Sequence, residues 1–330
     1  MSLERKIKVS FVYRDCLALT EKSFYTHFYN FYFKALARND DIEINYILSD
    51  KNFDAAKLNG KTDVILIYEN FNTGQYCVPD ELVGIKKLNI PVISKIGDPW
   101  AAKNFNVKEY HEKYKIDAYF GPWAKDFFYK YYPRNFKFKT ILFGIEPSLY
   151  QDIPPFKDRI KNRILNSGAI ANTRLTNRLY QKLVRGDADP MKHYKLRTIC
   201  NKLPYVDYTS TFDHEYIGNK YQLHLYKYRA AIAATTDTFT MKYFEMPAAA
   251  CLTFMESTEK NYAKTLGYKD GETAIFIDEK NYQEKFEQYL SDIENPKWEE
   301  IAYAGRKFAL DNFSNDKGVE SLIQLIKEFV

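Results

Sequence analysis

The 330-residue sequence predicts two doubly wound α/β domains in tandem. Three observations predict it. In the first half, short and almost wholly apolar segments alternate with helix-periodic ones, as in a parallel sheet covered on both faces. The alternation breaks at a proline-rich stretch and then restarts. The length also suits two domains of roughly 150 residues each. The chain is 45% hydrophobic and 28% charged, with 28 Tyr, 24 Phe and 3 Trp against 13 Gly, which excludes a disordered or low-complexity chain. No run approaches about 18 apolar residues, so no membrane-spanning helix is expected. The charged start lacks the apolar core of a secretory signal, so the expected location is cytoplasmic. A formal charge of +5 permits an anionic substrate or lipid surface and does not demand nucleic acid.

The elements follow in order. Apolar strands are expected at 8–13, 42–48, 63–70, 90–97, 117–121 and 139–145, with helices at 23–38, 80–88 and 124–132. These make a first domain, residues 1–150. Residues 151–162 carry prolines and mixed charges and read as a linker. The second domain, 163–330, has strands at 163–170, 228–236, 252–256 and 273–278, helices at 173–184, 240–251 and 281–292, and a two-helix tail. Tandem domains of this kind leave an interdomain cleft, and their ligands bind at the carboxyl ends of the strands. Cys16, Cys77, Cys200 and Cys251 lie far apart without metal-ligand spacing, so four reduced, mostly buried thiols are expected.

The loop and helix at 235–256, "TTDTFTMKYFEMPAAACLTFME", hold the most chemistry. Asp237 should end a strand. Thr238–Thr240 should lead into a helix whose free N–H groups favour an anion. Glu245 can accept hydrogen bonds from vicinal hydroxyls such as those of a ribose. Ala248, Ala249 and Ala250 allow close packing. The plainer alternative is a capping Asp and a solvated helix Glu.

This segment, with the "LGYKDGE" loop, "TAIFID" and the late "AGRKFALDNFS", resembles the C-terminal domain of group 1 glycosyltransferases, in the branch that includes spore-maturation-type proteins. The family shows an acid, seven residues, then the glutamate of E-x-x-A-x-G. Asp237 and Glu245 take those positions, Gly267 with Asp270–Gly271 the loop, and Gly305–Arg306 the late pair. The resemblance covers about residues 160–325. Two departures are Asp237, where Glu is commoner, and Cys251, near where Gly often stands. In the first domain, "FGIEPSLY" and "IGDPW" match more loosely, and the usual glycine-rich loop after strand one is replaced by Tyr13–Arg14–Asp15–Cys16.

The resemblance implies a GT-B fold and a nucleotide-diphosphate sugar bound mainly to the C-terminal domain, with no cofactor beyond this co-substrate. No metal is implied, because Arg or Lys can neutralise the departing diphosphate. Gly168 permits close backbone approach after the 163–170 strand. Arg178, with Arg174 four residues before it and Lys242, is the expected diphosphate ligand, and Thr238 a further donor contact. Asp237 is expected near the donor sugar. Asp98, fixed between Gly97 and Pro99, is the expected catalytic group on the acceptor side, a general base if the enzyme inverts. His27 and Glu146 are expected to face the acceptor.

Two aromatic tracts, 24–33 and 127–139, lie in the first domain. They read as buried amphipathic helices, or as a surface for a carbohydrate or lipid-linked acceptor with peripheral contact at the inner membrane face. Single-stranded nucleic acid is the least favoured partner. The resemblance and the residues together point to a metal-independent glycosyltransferase. Its rivals are a non-catalytic nucleotide-sugar or carbohydrate-binding protein and a nucleotide-sugar epimerase.

Overall fold

A computed structural model describes residues 5–24, 26–69, 77–180, 183, 189–211 and 214–330, and of Asn104 and Arg178 the backbone alone. The chain divides into two compact units, Met1–Glu146 with Ser314–Val330, and Pro147–Phe313. The sequence reading placed the whole helical tail in the second domain. The last helix instead belongs to the first unit.

The strands of the first unit are β1 (Ile7–Tyr13), β2 (Ile42–Leu48), β3 (Asn52–Asp54), β4 (Val64–Tyr68), β5 (Glu81–Val83), β6 (Val92–Lys95), β7 (Ile116–Gly121) and β8 (Phe138–Thr140). Six of them form one sheet in the order β2-β1-β4-β6-β7-β8, with every pairing parallel. β4 is buried along its whole length, as its unbroken "VILIY" requires. β3 and β5 form a separate parallel pair. The helix expected at 80–88 is therefore corrected to strand β5 and a single helical turn, Ile85–Lys87. Gly84, with φ 79°, separates the two and rules out a continuous helix.

The aromatic tracts are core. Phe28, Phe31 and Tyr32 pack with Phe11, Tyr68 and Phe143, and Phe127, Phe128, Tyr132, Phe136 and Phe138 are likewise buried. This bears out the reading of the tracts as buried amphipathic helices and sets aside the alternative of an acceptor or membrane surface. The same core takes Val319, Leu322, Ile323, Leu325 and Ile326 from the last helix, Asn315–Ile326. That helix lies so close that a Cβ at Gly318 would stand 2.6 Å from Phe143 Cβ. Its first turn is tied down by Glu146, whose carboxylate takes Arg38 at 3.0 Å and Asn315 Nδ2 at 3.2 Å.

The second unit contains β9 (Ile160–Ser167), β10 (Val206–Thr209), β11 (Tyr228–Ala233), β12 (Leu252–Glu256) and β13 (Ile275–Ile277). They form one sheet in the order β10-β9-β11-β12-β13, again all parallel. Ile164, Ala230, Ile232, Leu252 and Phe254 of this sheet pack against Phe286, Tyr289, Trp298 and Ile301 of the helices Tyr282–Ser291 and Pro296–Phe313. In both sheets the strand order reverses beside the first strand, between β1 and β4 and between β9 and β11. Doubly wound folds bind ligands at the carboxyl side of such a switch point.

Candidate functional site

In the second unit the switch point is lined by Ser167 at the end of β9, by Gly168 after it and by residues 234–241 after β11. Gly168 has φ +105°, a conformation that favours glycine. A Cβ there would stand 2.7 Å from Lys242 Cε, and 3.1 Å from both Lys242 Nζ and a guanidinium nitrogen of Arg197. Two cationic side chains therefore converge on one bare stretch of backbone. The Gly168 N–H is already donated to Thr209 O at 2.8 Å, so the glycine contributes space and no free donor.

Arg197 comes from the helix Lys195–Cys200 and is 2% exposed. It donates to Ser167 O at 3.2 Å and lies 4.4 Å over the Tyr194 ring, while its Nε is buried without a hydrogen-bond partner. Burial holds its pKa below the ordinary arginine value. Lys242 opens the helix Lys242–Ala248 and reaches Tyr221 Oη at 3.4 Å. That hydroxyl in turn donates to Ser167 Oγ at 3.0 Å. Burial and the Arg197 charge lower the Lys242 pKa, while Glu245 counters them. Among the described residues neither cation forms an ion pair with a carboxylate. A buried guanidinium and a half-buried ammonium in this state form a ready site for an anion.

Glu245, one turn along from Lys242, is half-buried. Burial raises its pKa and the Lys242 ammonium counters this. Its side chain accepts no hydrogen bond among the described residues. Two arginines secure the end of its helix: Arg159 donates to Ala249 O and Ala250 O, and Arg306 to Ala248 O. The left-handed residue that closes the helix is Ala250, φ 53°, one position before Cys251. The loop after β11 is fastened by Asn261, whose amide donates to Thr235 O at 2.9 Å and Glu256 O at 2.7 Å. On that loop the hydroxyls of Thr238 and Thr240 are buried without partners. Asp237 takes a hydrogen bond from His193 Nδ1 at 2.9 Å and is ion-paired with Lys260 at 3.1 Å, and the His193 hydrogen bond lowers its pKa.

Thus the fold gathers Gly168, Lys242, Glu245 and the 235–241 loop at one edge. Arg174 is exposed ahead of the helix Leu175–Tyr180. Arg178 lies within that helix, but its side chain is outside the described residues. No motif in the sequence singles out Arg197 or Tyr221. The one signal was an arginine inside the otherwise core-facing "KLRTIC".

The first unit has its own cluster at the ends of β4 and β6. Lys95 is 2% exposed, with its Nζ 3.9 Å from the Phe28 ring centroid and 4.6 Å from that of Tyr68. Burial lowers its pKa, while Asp98 and Glu69 raise it. Burial and the Lys95 charge hold His27 down at about 3, a neutral imidazole. Asp98 is half-buried at the head of the turn Pro99–Asn104. Glu69 is 1% exposed, accepts from Tyr132 Oη at 2.7 Å, and is pushed by burial up to about 8. A carboxylate closing the apolar run of β4, and a lysine within the apolar β6, are the signals that mark Glu69 and Lys95. Glu146 lies away from this cluster in sequence and is engaged by Arg38 and Asn315.

The expected reduced pair Cys16 and Cys77 is corrected to a disulfide, with Cα atoms 5.5 Å apart across 61 residues. Parallel pairing of β1 with β4 brings their following loops together, which sequence spacing does not reveal. Cys200 and Cys251 are free and buried, as expected.

Residues 183–324 match the family model described as glycosyl transferase-like. No curated protein matches the chain. Among solved structures it is similar to a glycosyltransferase from Rickettsia africae ESF-5, at 13% identity and TM-score 0.53, covering 98% of this chain and 99% of that one. Anabaena HepE in complex with UDP and glucose aligns at 13% identity and TM-score 0.53, covering 98% and 100%. Sucrose-phosphate synthase from Thermosynechococcus elongatus aligns at 9% identity and TM-score 0.57, covering 98% and 99%. The fold is the two-Rossmann-domain fold of GT-B glycosyltransferases.

Proposed function

We propose that this chain is a glycosyltransferase that moves a sugar from a nucleotide-diphosphate donor to a hydroxyl acceptor. The observation that carries the reading is the convergence of Arg197 and Lys242 on Gly168, where neither forms an ion pair among the described residues. In such a transfer the bond from the anomeric carbon to the terminal phosphate oxygen breaks, and its electron pair leaves with the diphosphate. The acceptor oxygen bonds to the same carbon, and its proton passes to a base or to the departing phosphate. Arg197 and Lys242 take the charge that grows on the leaving group, with Arg174, just ahead of the neighbouring helix, and Arg178, within it, as further cations. Fixed cations supply the neutralisation, so the proposed reaction needs no metal.

Glu245, with unoccupied acceptor oxygens, takes the ribose hydroxyls. Asp237, held ionised by His193 and Lys260, faces the donor sugar, with the orphaned Thr238 and Thr240 hydroxyls beside it. On the acceptor side Asp98 is the proposed base, with neutral His27 in the same cluster around Lys95. The acceptor is a glycan or a lipid-linked hydroxyl. Placement in the spore-maturation-type branch rests on the 235–256 and 304–314 motifs. HepE is crystallised with UDP, so a UDP-sugar is the first donor to try.

Calorimetry with UDP-, GDP- and dTDP-sugars tests the reading. One of them should bind in the micromolar range, and Lys242→Met should weaken it at least ~10-fold. Glu245→Ala should abolish nucleotide release. Failure of all three donors to bind would overturn the proposal.

A further inference from the structure

The chain has 3 tryptophans, and two of them are core: Trp123 is 9% exposed and Trp298 5%. Trp100 is the exception, at 37%. It lies two residues after Asp98, on the 3-10 turn Pro99–Asn104 that follows β6. Leaving part of an indole in water forgoes hydrophobic stabilisation. Yet the ring is firmly seated. It meets Trp123 edge-on at 5.6 Å and 72°, and Phe127 at 6.3 Å and 69°. Phe127 is buried, and Trp123 donates from Nε1 to Gly97 O at 3.1 Å. The Ala101 N–H closes the turn on Asp98 O at 2.9 Å. The same contacts therefore fix the backbone before Asp98, the turn after it and the indole. A 3-10 turn repeats about every three residues, so Lys103 stands on the same side as Trp100, and it too is exposed.

We propose that Trp100 is the platform for a pyranose ring of the acceptor, so that the acceptor is a glycan and not a bare lipid or protein hydroxyl. The proposal rests on the reading of Asp98 as the acceptor-side base. A pyranose presents C–H bonds on its faces, and an indole is electron-rich on its own, so the two attract while the sugar hydroxyls stay free to hydrogen-bond. The Lys103 ammonium can donate to those hydroxyls. A ring already fixed by its neighbours loses little freedom when a ligand settles on it. Asp98 alone could meet any hydroxyl. With Trp100 two residues away, one hydroxyl of a stacked sugar is held within its reach. The buried 127–139 tract takes no part in this surface except that its Phe127 is the footing of the indole.

The test titrates the full chain with maltotetraose, cellotetraose, mannotetraose and chitotetraose, followed by intrinsic fluorescence and by ligand-observed NMR. At least one should bind with a Kd on the order of 1 mM and shift the tryptophan emission, since Trp100 is the accessible indole. Trp100→Phe keeps a ring and should bind within about 3-fold of wild type, whereas Trp100→Leu keeps apolar packing on Trp123 and Phe127 but should bind at least ~10-fold more weakly. A purely structural Trp100 would not separate Phe from Leu in this way. No binding of any of these sugars up to about 20 mM overturns the proposal, as does Trp100→Leu that binds as tightly as wild type. Phosphatidylglycerol vesicles that pellet wild type but not Trp100→Leu would assign the indole to a lipid surface and overturn it too. Calorimetry with the nucleotide sugars separates this site from the transfer reading, because every proposed donor ligand lies in the second unit and Trp100→Leu should bind the donor as wild type does. Oligosaccharide bound at Trp100 by a chain that binds no nucleotide sugar would uphold this site and refute transfer. Donor binding without oligosaccharide binding would do the opposite.

Discussion

A guanidinium buried without a carboxylate destabilises a folded chain. Arg197 is in that position, and its Nε lacks any partner. Arg197→Met should therefore raise the melting temperature by about 2–3 °C, while weakening nucleotide-sugar binding by about 10- to 100-fold. Calorimetry and a thermal scan on the same sample check both halves. A fall in both stability and affinity would make Arg197 a structural residue. Glu69 provides a second residue-scale experiment. Its folded pKa, about 8, lies above the ordinary 4.5, so its stabilising effect is complete below pH 4.5 and is lost as pH rises toward 8. Glu69→Gln keeps an acceptor for Tyr132 and removes the titration. Its melting-temperature advantage over wild type should widen from pH 4.5 to about 8, by at most roughly 1.4 kcal/mol per pH unit, and then stop widening. An advantage independent of pH would refute the assignment. Asp237, Glu245, Lys242 and Gly168 were legible in the sequence because they lie within twelve residues of a strand end in a patterned segment. Arg197 was not, because what brings it to Gly168 is the packing of a helix 30 residues downstream.

The helix Lys242–Ala248 is one that its own residues would not sustain. It has seven residues, includes Pro247, and ends at a left-handed alanine. Isolated helices of that length do not persist in water. Arg306 and Arg159 hold its terminal carbonyls, and Arg306 also donates to Tyr150 O. Arg306→Ala should cost about 1–3 kcal/mol of stability and loosen the perch of Lys242 and Glu245, so nucleotide-sugar affinity should fall several-fold as well. Unchanged affinity in a destabilised variant would show that the helix start is anchored independently of its end. At this scale the longer strands were readable from apolar runs, since full burial of a parallel sheet leaves that trace. The short β3 and β5 were not. Three residues carry too little period to read, and "ELVGIKKL" satisfies a helical pattern that Gly84 interrupts.

The first unit is discontinuous in sequence. Its core draws five buried apolar residues from the helix Asn315–Ile326, and Arg38 binds both Glu146 and Asp316. A chain ending at residue 146 should therefore be insoluble or molten. Adding residues 314–330 through a flexible linker should restore a cooperative thermal transition. A soluble, cooperatively folding 1–146 fragment would contradict this. The two-domain pattern and the linker were visible in composition, but this return was not, because an amphipathic helix carries no mark of which sheet it will cover. The arrangement also fixes an order in time. During synthesis, the face of the first sheet awaiting the last helix stays open until the whole second unit has left the ribosome, on the order of ten to thirty seconds at ordinary elongation rates. The half of the molecule made first is the half completed last, and in that interval an apolar face that the finished protein covers is open to solvent.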